Sequence, residues 1–257
     1  MIRLLRAGER RLICRALLPV LFLGLIAALA ASSALAQDIG ITFGQGQGLT
    51  ERALQLVALV TVLSLAPSIL VMVTSFTRIV VVLSLLRTAL GTATSPPNAV
   101  LSGLALFMTA FIMAPTFEQS YRVGVQPLLA GQIREAEAFE RASGPFKEFM
   151  LKHVRSKDLE LFMDLSRQPR PQTAIETPLQ ILVPAFMISE LRRAFEIGFL
   201  LFIPFLIIDL VVSSVLISMG MSLLPPVTVS LPFKLIFFVL VDGWSLVVGS
   251  LVQSYGT

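Results

Sequence analysis

From Leu179 to Ser218 the sequence is an almost unbroken apolar run, and near its middle stands "SELRRAFEIGF". Glu190, Arg192, Arg193 and Glu196 fall within two helical turns, with "TPLQILVPAFMI" before them and "LLFIPFLII" after. As one helix the run would be about 60 Å long at about 1.5 Å per residue, against a bilayer core of about 30 Å. A helix that only crossed lipid would not carry four formal charges, because charges at membrane depth are paired or face a cavity. Any fold for this chain must cover an overlong apolar helix and satisfy the charges set into it.

At about 100° per residue the four charges occupy one sector of the helix, where Glu190 reaches Arg193 at i+3 and Arg192 reaches Glu196 at i+4. Leu191, Phe195 and Gly198 lie on the other side, suited to close packing. One reading is a self-neutralised ladder at a membrane surface; the other is a polar seam between subunits or beside a water-filled passage. The overlength and the apolar flanks favour the seam.

The chain is 55% hydrophobic and 14% charged with a mean hydropathy of +0.84, the profile of an integral membrane protein. Its basic pI of about 9.7 belongs mostly to the N-terminus. There "MIRLLRAGERRLICR" reads as a basic region, "ALLPVLFLGLIAALAASS" as an apolar core and "ALAQ" as a cleavage site after Ala36. Cleavage would take Lys+Arg from 20 to 15 and Asp+Glu from 16 to 15, leaving a neutral chain and no basis for a nucleic-acid partner. The alternative is an uncleaved first transmembrane helix. Cys14 is the one cysteine and His153 the one histidine, so no cysteine or histidine-rich metal site is expected. His153 is expected on a helix surface.

Residues 1–36 are therefore read as a signal peptide and 37–52 as a glycine-rich flexible leader; "GQGQG" lacks the lysine and the strand–turn–helix setting of a phosphate loop. Residues 53–117 read as a first helical hairpin. It has one long helix to Leu90, kinked at Pro67, a turn at "TATSPPNAVL" with Ser95 as a cap, and a return through "NAVLSGLALFMTAF". The positive-inside tendency of Arg78 and Arg87 points its tip to the cytoplasm.

Residues 118–178 hold nine basic and nine acidic residues and read as a small helical domain outside the membrane. Its helices would break at "GP" and restart at a Ser156 cap, with apolar faces too small for an independent core. Residues 179–257 read as a second hairpin, with kinks at Pro184 and Pro204. Asp209 and Lys234 are equidistant from its tip near residues 221 and 222, so they are expected to face each other as an ion pair. The tip, "SMGMSLLPP", is either an apolar turn dipping into lipid or a deformable seal, methionine being flexible and polarizable.

The segments "TSFTRIVVVLSLLRTALGT", "PPNAVLSGLALFMTAF", "PAFMISELRRAFEIGF" and "PPVTVSLPFKLIFFVLVDGWSLVVGSLVQS" together resemble the FliP family of the bacterial flagellar type III export apparatus, over about residues 50–255. The resemblance implies an all-α membrane-associated fold: two long bent hairpins with an inserted periplasmic helical domain, in a helical oligomer. It implies a non-enzymatic, pore-forming subunit with no cofactor. About five copies would assemble with FliQ, FliR and other export components in the inner membrane and flagellar basal body, passing unfolded flagellar proteins. The family's methionine gasket corresponds to Met219 and Met221, with Leu223 and Leu224 adding apolar bulk. Glu190, Arg192, Arg193 and Glu196 would form the subunit seam, and Phe149 and Phe162 interface aromatics. The alternatives are an injectisome export-gate subunit, which typically lacks the cleaved signal, or a small ion or solute transporter using the Glu/Arg cluster.

Overall fold

The computed structural model describes residues 49–92, 94–221 and 223–256. The expected signal peptide and most of the leader lie outside them. Among the described residues the chain is all-helical: α1 (Leu49–Met72), α2 (Phe76–Ala89), α3 (Asn98–Ser120), α4 (Gln126–Leu129), α5 (Glu135–His153), α6 (Ser156–Ser166), α7 (Leu179–Ser218), α8 (Pro226–Leu240) and α9 (Gly243–Gln253). A π-helical turn, Tyr121–Val125, joins α3 to α4 without interrupting the rod. Residues up to Val62 form one unit and those from Leu63 onward another, within which all the packing below occurs.

The centre of that second unit is α2. Its buried positions Arg78, Val82, Leu86 and Leu90 recur every four residues, with Ile79 and Leu83 beside them, so one face of the helix is fully enclosed. That face packs against α7 and α3. The matching row on α7 is Leu182, Phe186, Glu190, Ala194 and Gly198, again at steps of four and all buried. Gly198 is required there, since a Cβ would lie 2.3 Å from Leu85 Cδ1.

Several local expectations are corrected. The first long helix is two elements: α1 continues through Pro67 to Met72 and the chain breaks at residues 73–75. There polar side chains take over the backbone groups: Thr77 Oγ1 donates to Val71 O at 3.2 Å and Thr74 Oγ1 accepts from Phe76 N–H at 3.4 Å. Ser95 is not a cap, because Pro97 holds the position before α3 and no side chain caps that end. Likewise α7 is continuous through Pro184 and Pro204. A bend of 63° lies between α8 and α9, where Asp242 takes a left-handed φ of 50°.

The expected break at "GP" is also absent, α5 running unbroken through Pro145. A residue before proline is pushed out of the helical region partly by its own Cβ, which Gly144 lacks. The start of α6 is fixed differently from the expected Ser156 cap. Arg155 N–H donates to Ser189 Oγ at 3.1 Å, and Ser189 donates to Asp158 Oδ2 at 2.7 Å, pinning the helix to α7. Asp158 in that first turn also suits the positive end of the helix dipole.

The inserted helices reach the hairpins by close backbone contact. Ser120 Oγ donates to Ala142 O at 2.7 Å, and Gly124 in the π-helical turn lies flat against Ala142. A Cβ at Gly124 would be 2.6 Å from Ala142 Cβ and 2.8 Å from its Cα, neither of which is a movable side-chain end. Gly124→Ala should therefore destabilise the protein by about 1–3 kcal/mol through overpacking. Gly103→Ala, in α3 with open space around it, should be neutral or slightly stabilising. Thermal unfolding of the two purified variants in one detergent checks the contrast.

Candidate functional site

The residues that could carry function fall into two buried charge clusters and one exposed apolar tip. In the first cluster Arg78 and Glu190 sit on the facing rows of α2 and α7, at 1% and 0% exposure. The guanidinium forks onto the carboxylate: Nε donates to Oε2 at 2.8 Å and Nη2 donates to Oε1. Its third nitrogen, Nη1, donates to Ser254 Oγ at 2.9 Å. The Tyr255 hydroxyl donates to the same carboxylate, and the guanidinium carbon lies 3.9 Å from the Tyr255 ring centre. One arginine thus holds α2, α7 and the C-terminal turn together.

This corrects the expected seam. Glu190 does not pair with Arg193 and does not face outward; it belongs to the buried row of α7, on the side of the helix away from Arg192. Arg192 and Glu196 do pair, Nε to Oε1 at 3.0 Å, and both are exposed. Such a surface pair contributes at most about 1 kcal/mol. Arg193 is half-buried, Gly198 packs on α2, and Phe195 is exposed instead of packed.

Around Tyr255 an aromatic wall docks α5. Phe149 stacks on Tyr255 at 5.9 Å and meets Phe186 edge-on at 5.9 Å, and His153 lies 4.7 Å from Phe149 and 5.0 Å from Tyr255. Phe149, expected at a subunit interface, is thus engaged within its own chain. His153, expected on a surface, is 5% exposed. Phe162 is half-buried and lines a shallow cleft with Leu165 and Ile181.

The second cluster is on the other hairpin. Lys234 Nζ donates to Asp209 Oδ2 at 2.6 Å, bringing together the two residues placed opposite each other by sequence. Ser230 Oγ donates to Asp209 Oδ1 at 2.5 Å, and Lys234 also reaches Ala89 O at 3.2 Å. That carbonyl is among those left without a helical partner at the end of α2, where a cation is favoured. The pair therefore joins both hairpins, a role that counting outward from the tip does not reveal.

At the tip, α7 ends in a Schellman turn: Met221 N–H donates to Leu216 O and Gly220 N–H to Ile217 O, both at 3.0 Å. Gly220 supplies the required φ of 75°. Met219, Met221, Leu223 and Leu224 are all exposed, Leu223 at 97%. Beside them an apolar groove of 550 Å³ runs between α7 and α8, lined by Val211, Val215, Met219, Met221 and Phe233 among others.

Sequence reasoning uses Arg78 only as a topology signal and does not reach Tyr255, although Arg78 stands in an apolar row at steps of four, a signal that marks it as a core charge. Removing one partner of a buried pair strands a charge, at about 3–5 kcal/mol. Arg78→Gln and Glu190→Gln should each destabilise by that order, and the double variant by clearly less than their sum. Thermal unfolding of all three variants in detergent measures the coupling; additive losses would show that the fork contributes nothing.

Residues 59–251 match the FliP family profile. The chain is 67% identical over 225 residues to the flagellar biosynthetic protein FliP of Caulobacter vibrioides, spanning 87% of this chain and 85% of that protein. It is 57% identical over 201 residues to the Bacillus subtilis protein of the same name, spanning 78% and 91%. With that of Rhizobium meliloti it shares 54% over 200 residues, spanning 77% and 81%. The chain belongs to the FliP family.

Proposed function

We propose that this chain is a structural, pore-forming subunit of the flagellar type III export gate, assembling with further copies of itself and with FliQ and FliR to pass unfolded flagellar proteins across the inner membrane. The observation that carries this reading is the inversion of the subunit. Arg78, Glu190 and Lys234 are buried, while Phe107 is 79% exposed, and Phe199, Leu206, Leu210, Val239 and Leu240 are open as well. Such a surface calls for lipid or protein to cover it.

Length supports a share for protein. Two described helical rods, Asn98–Leu129 and Leu179–Ser218, are long and apolar enough to cross a membrane, or three if the bent α8–α9 pair is one span. At 40 residues α7 is about 60 Å long, roughly twice the bilayer core. Subunits standing side by side would cover the surplus, with Arg192 and Glu196 on the exposed side available to the seam. The tip methionines then project from each copy and are suited to close a shared bore. A transporter using the Glu/Arg cluster fits less well, since every oxygen of the Glu190 carboxylate is already engaged inside the chain.

Native mass spectrometry after co-expression with FliQ and FliR should give a complex containing several copies of this chain with both partners; recovery of this chain alone as a monomer would sink the reading. Replacing both Met219 and Met221 by Gly should raise resting ion conductance of the membrane several-fold while leaving the assembled complex intact. Unchanged conductance would remove the seal from the proposal while leaving the assembly standing.

A further inference from the structure

The C-terminal end of α5 is held to the rest of the unit by Met150, which is buried with Leu182 and Phe186, and by an aromatic corner with a titratable ring inside it. His153 is enclosed between Phe149 and Tyr255 at 5% exposure. It is the last residue of α5, two residues before Arg155, whose N–H donates to Ser189 Oγ. It also lines an open cleft of 220 Å³ with Gln119, Glu148, Lys152 and Tyr255, which gives water and protons a route to the ring.

Three cations act on this ring. From α2 comes Arg78, from α7 Arg193, and from α5 itself Lys152; each opposes a further positive charge. The acids nearby are Glu190 on α7 and Glu148 on α5. Glu190 is already forked by Arg78 and bonded by Tyr255, and Asp158 on α6 is taken up by Ser189. The cleft lining from α3 is Ile112, Pro115, Thr116 and Gln119, none of which is charged. A protonated imidazole here would be a fourth cation in a corner whose buried carboxylate is occupied.

We propose that His153 is a proton-operated latch: uncharged, it lets α5 dock on the Phe186–Tyr255 wall, and protonated it loosens α5 from that wall. Burial and the three cations hold its pKa at about 4 in the docked state, against the usual 6.5. The docked side chain therefore favours the neutral form, so its contribution to docking is complete above about pH 6.5 and declines as pH falls toward 4. The device belongs to the inserted helices and not to the apolar tip, so it stands whether or not the tip closes a pore.

The full-length protein in detergent micelles provides the test, through amide hydrogen exchange of α5 and the C-terminal turn at about pH 7 and about pH 4.5, beside His153→Gln at the same two values. Acid should raise the opening of these segments in the wild type on the order of tenfold more than in His153→Gln. An equal acid response in both proteins overturns the latch, as does no response in the wild type. If His153→Gln does not fold, the wild type decides alone, because its one histidine gives one imidazole signal by NMR. A midpoint below about pH 5 that tracks the exchange change supports the latch; a midpoint between about pH 6 and 7 overturns it.

Discussion

The structure turns on the fork between Arg78 and Glu190, because it is the only way two charges on facing apolar rows can both stay in the core. Neither could be accommodated alone; an unpaired ion at that depth would cost several kcal/mol. Together they satisfy each other in two parallel hydrogen bonds, and the remaining guanidinium nitrogen and the Tyr255 hydroxyl complete the shell. An apolar pair of the same volume would serve stability as well. What the fork adds is registry: it fits at one setting of α2 against α7, whereas leucine against leucine would tolerate a slide of one turn.

Lys234 repeats the logic at the other end of α2. It is 3% exposed on the row Ser230, Lys234, Phe238, again at steps of four. By reaching both Asp209 and the terminal carbonyl of Ala89 it ties the second hairpin to the place where the α2 backbone runs out of partners. The two ends of α2 are thus located by ions, with hydrocarbon filling the length between. Both ions sit in a chain that also exposes many large apolar side chains on α3, α7 and α8.

Much of this was legible from sequence, for reasons that differ by residue. Asp209 and Lys234 could be paired because a hairpin tip sets a local mirror, so counting outward suffices. Helix existence followed from the long apolar periodicity. The failures were of two kinds. Helical spacing pairs Glu190 with Arg193 at i+3, while its partner Arg78 lies 112 residues away; spacing describes one element and is silent on which other element comes to face it. His153 was placed on a surface because its own helix is polar, and the wall that covers it, Phe186 and Tyr255, belongs to distant segments. The expected break at Pro145 is absent because Gly144 has no Cβ to clash with the proline ring, a detail that the breaker pair Gly–Pro hides. The signal worth keeping is the row at steps of four: a charge standing in such a row, as Arg78, Glu190 and Lys234 do, marks a residue with a long-range partner.

The Schellman turn at the end of α7 has a mechanical meaning. Its two backbone hydrogen bonds and the left-handed Gly220 fix the main chain from Leu216 to Met221, so Met219 and Met221 stand on an ordered turn. Motion there is left to the thioether side chains, whose torsions relax far faster than a helix end can unwind. The distance over which the tip can yield is set by the reach of a methionine, a few ångströms.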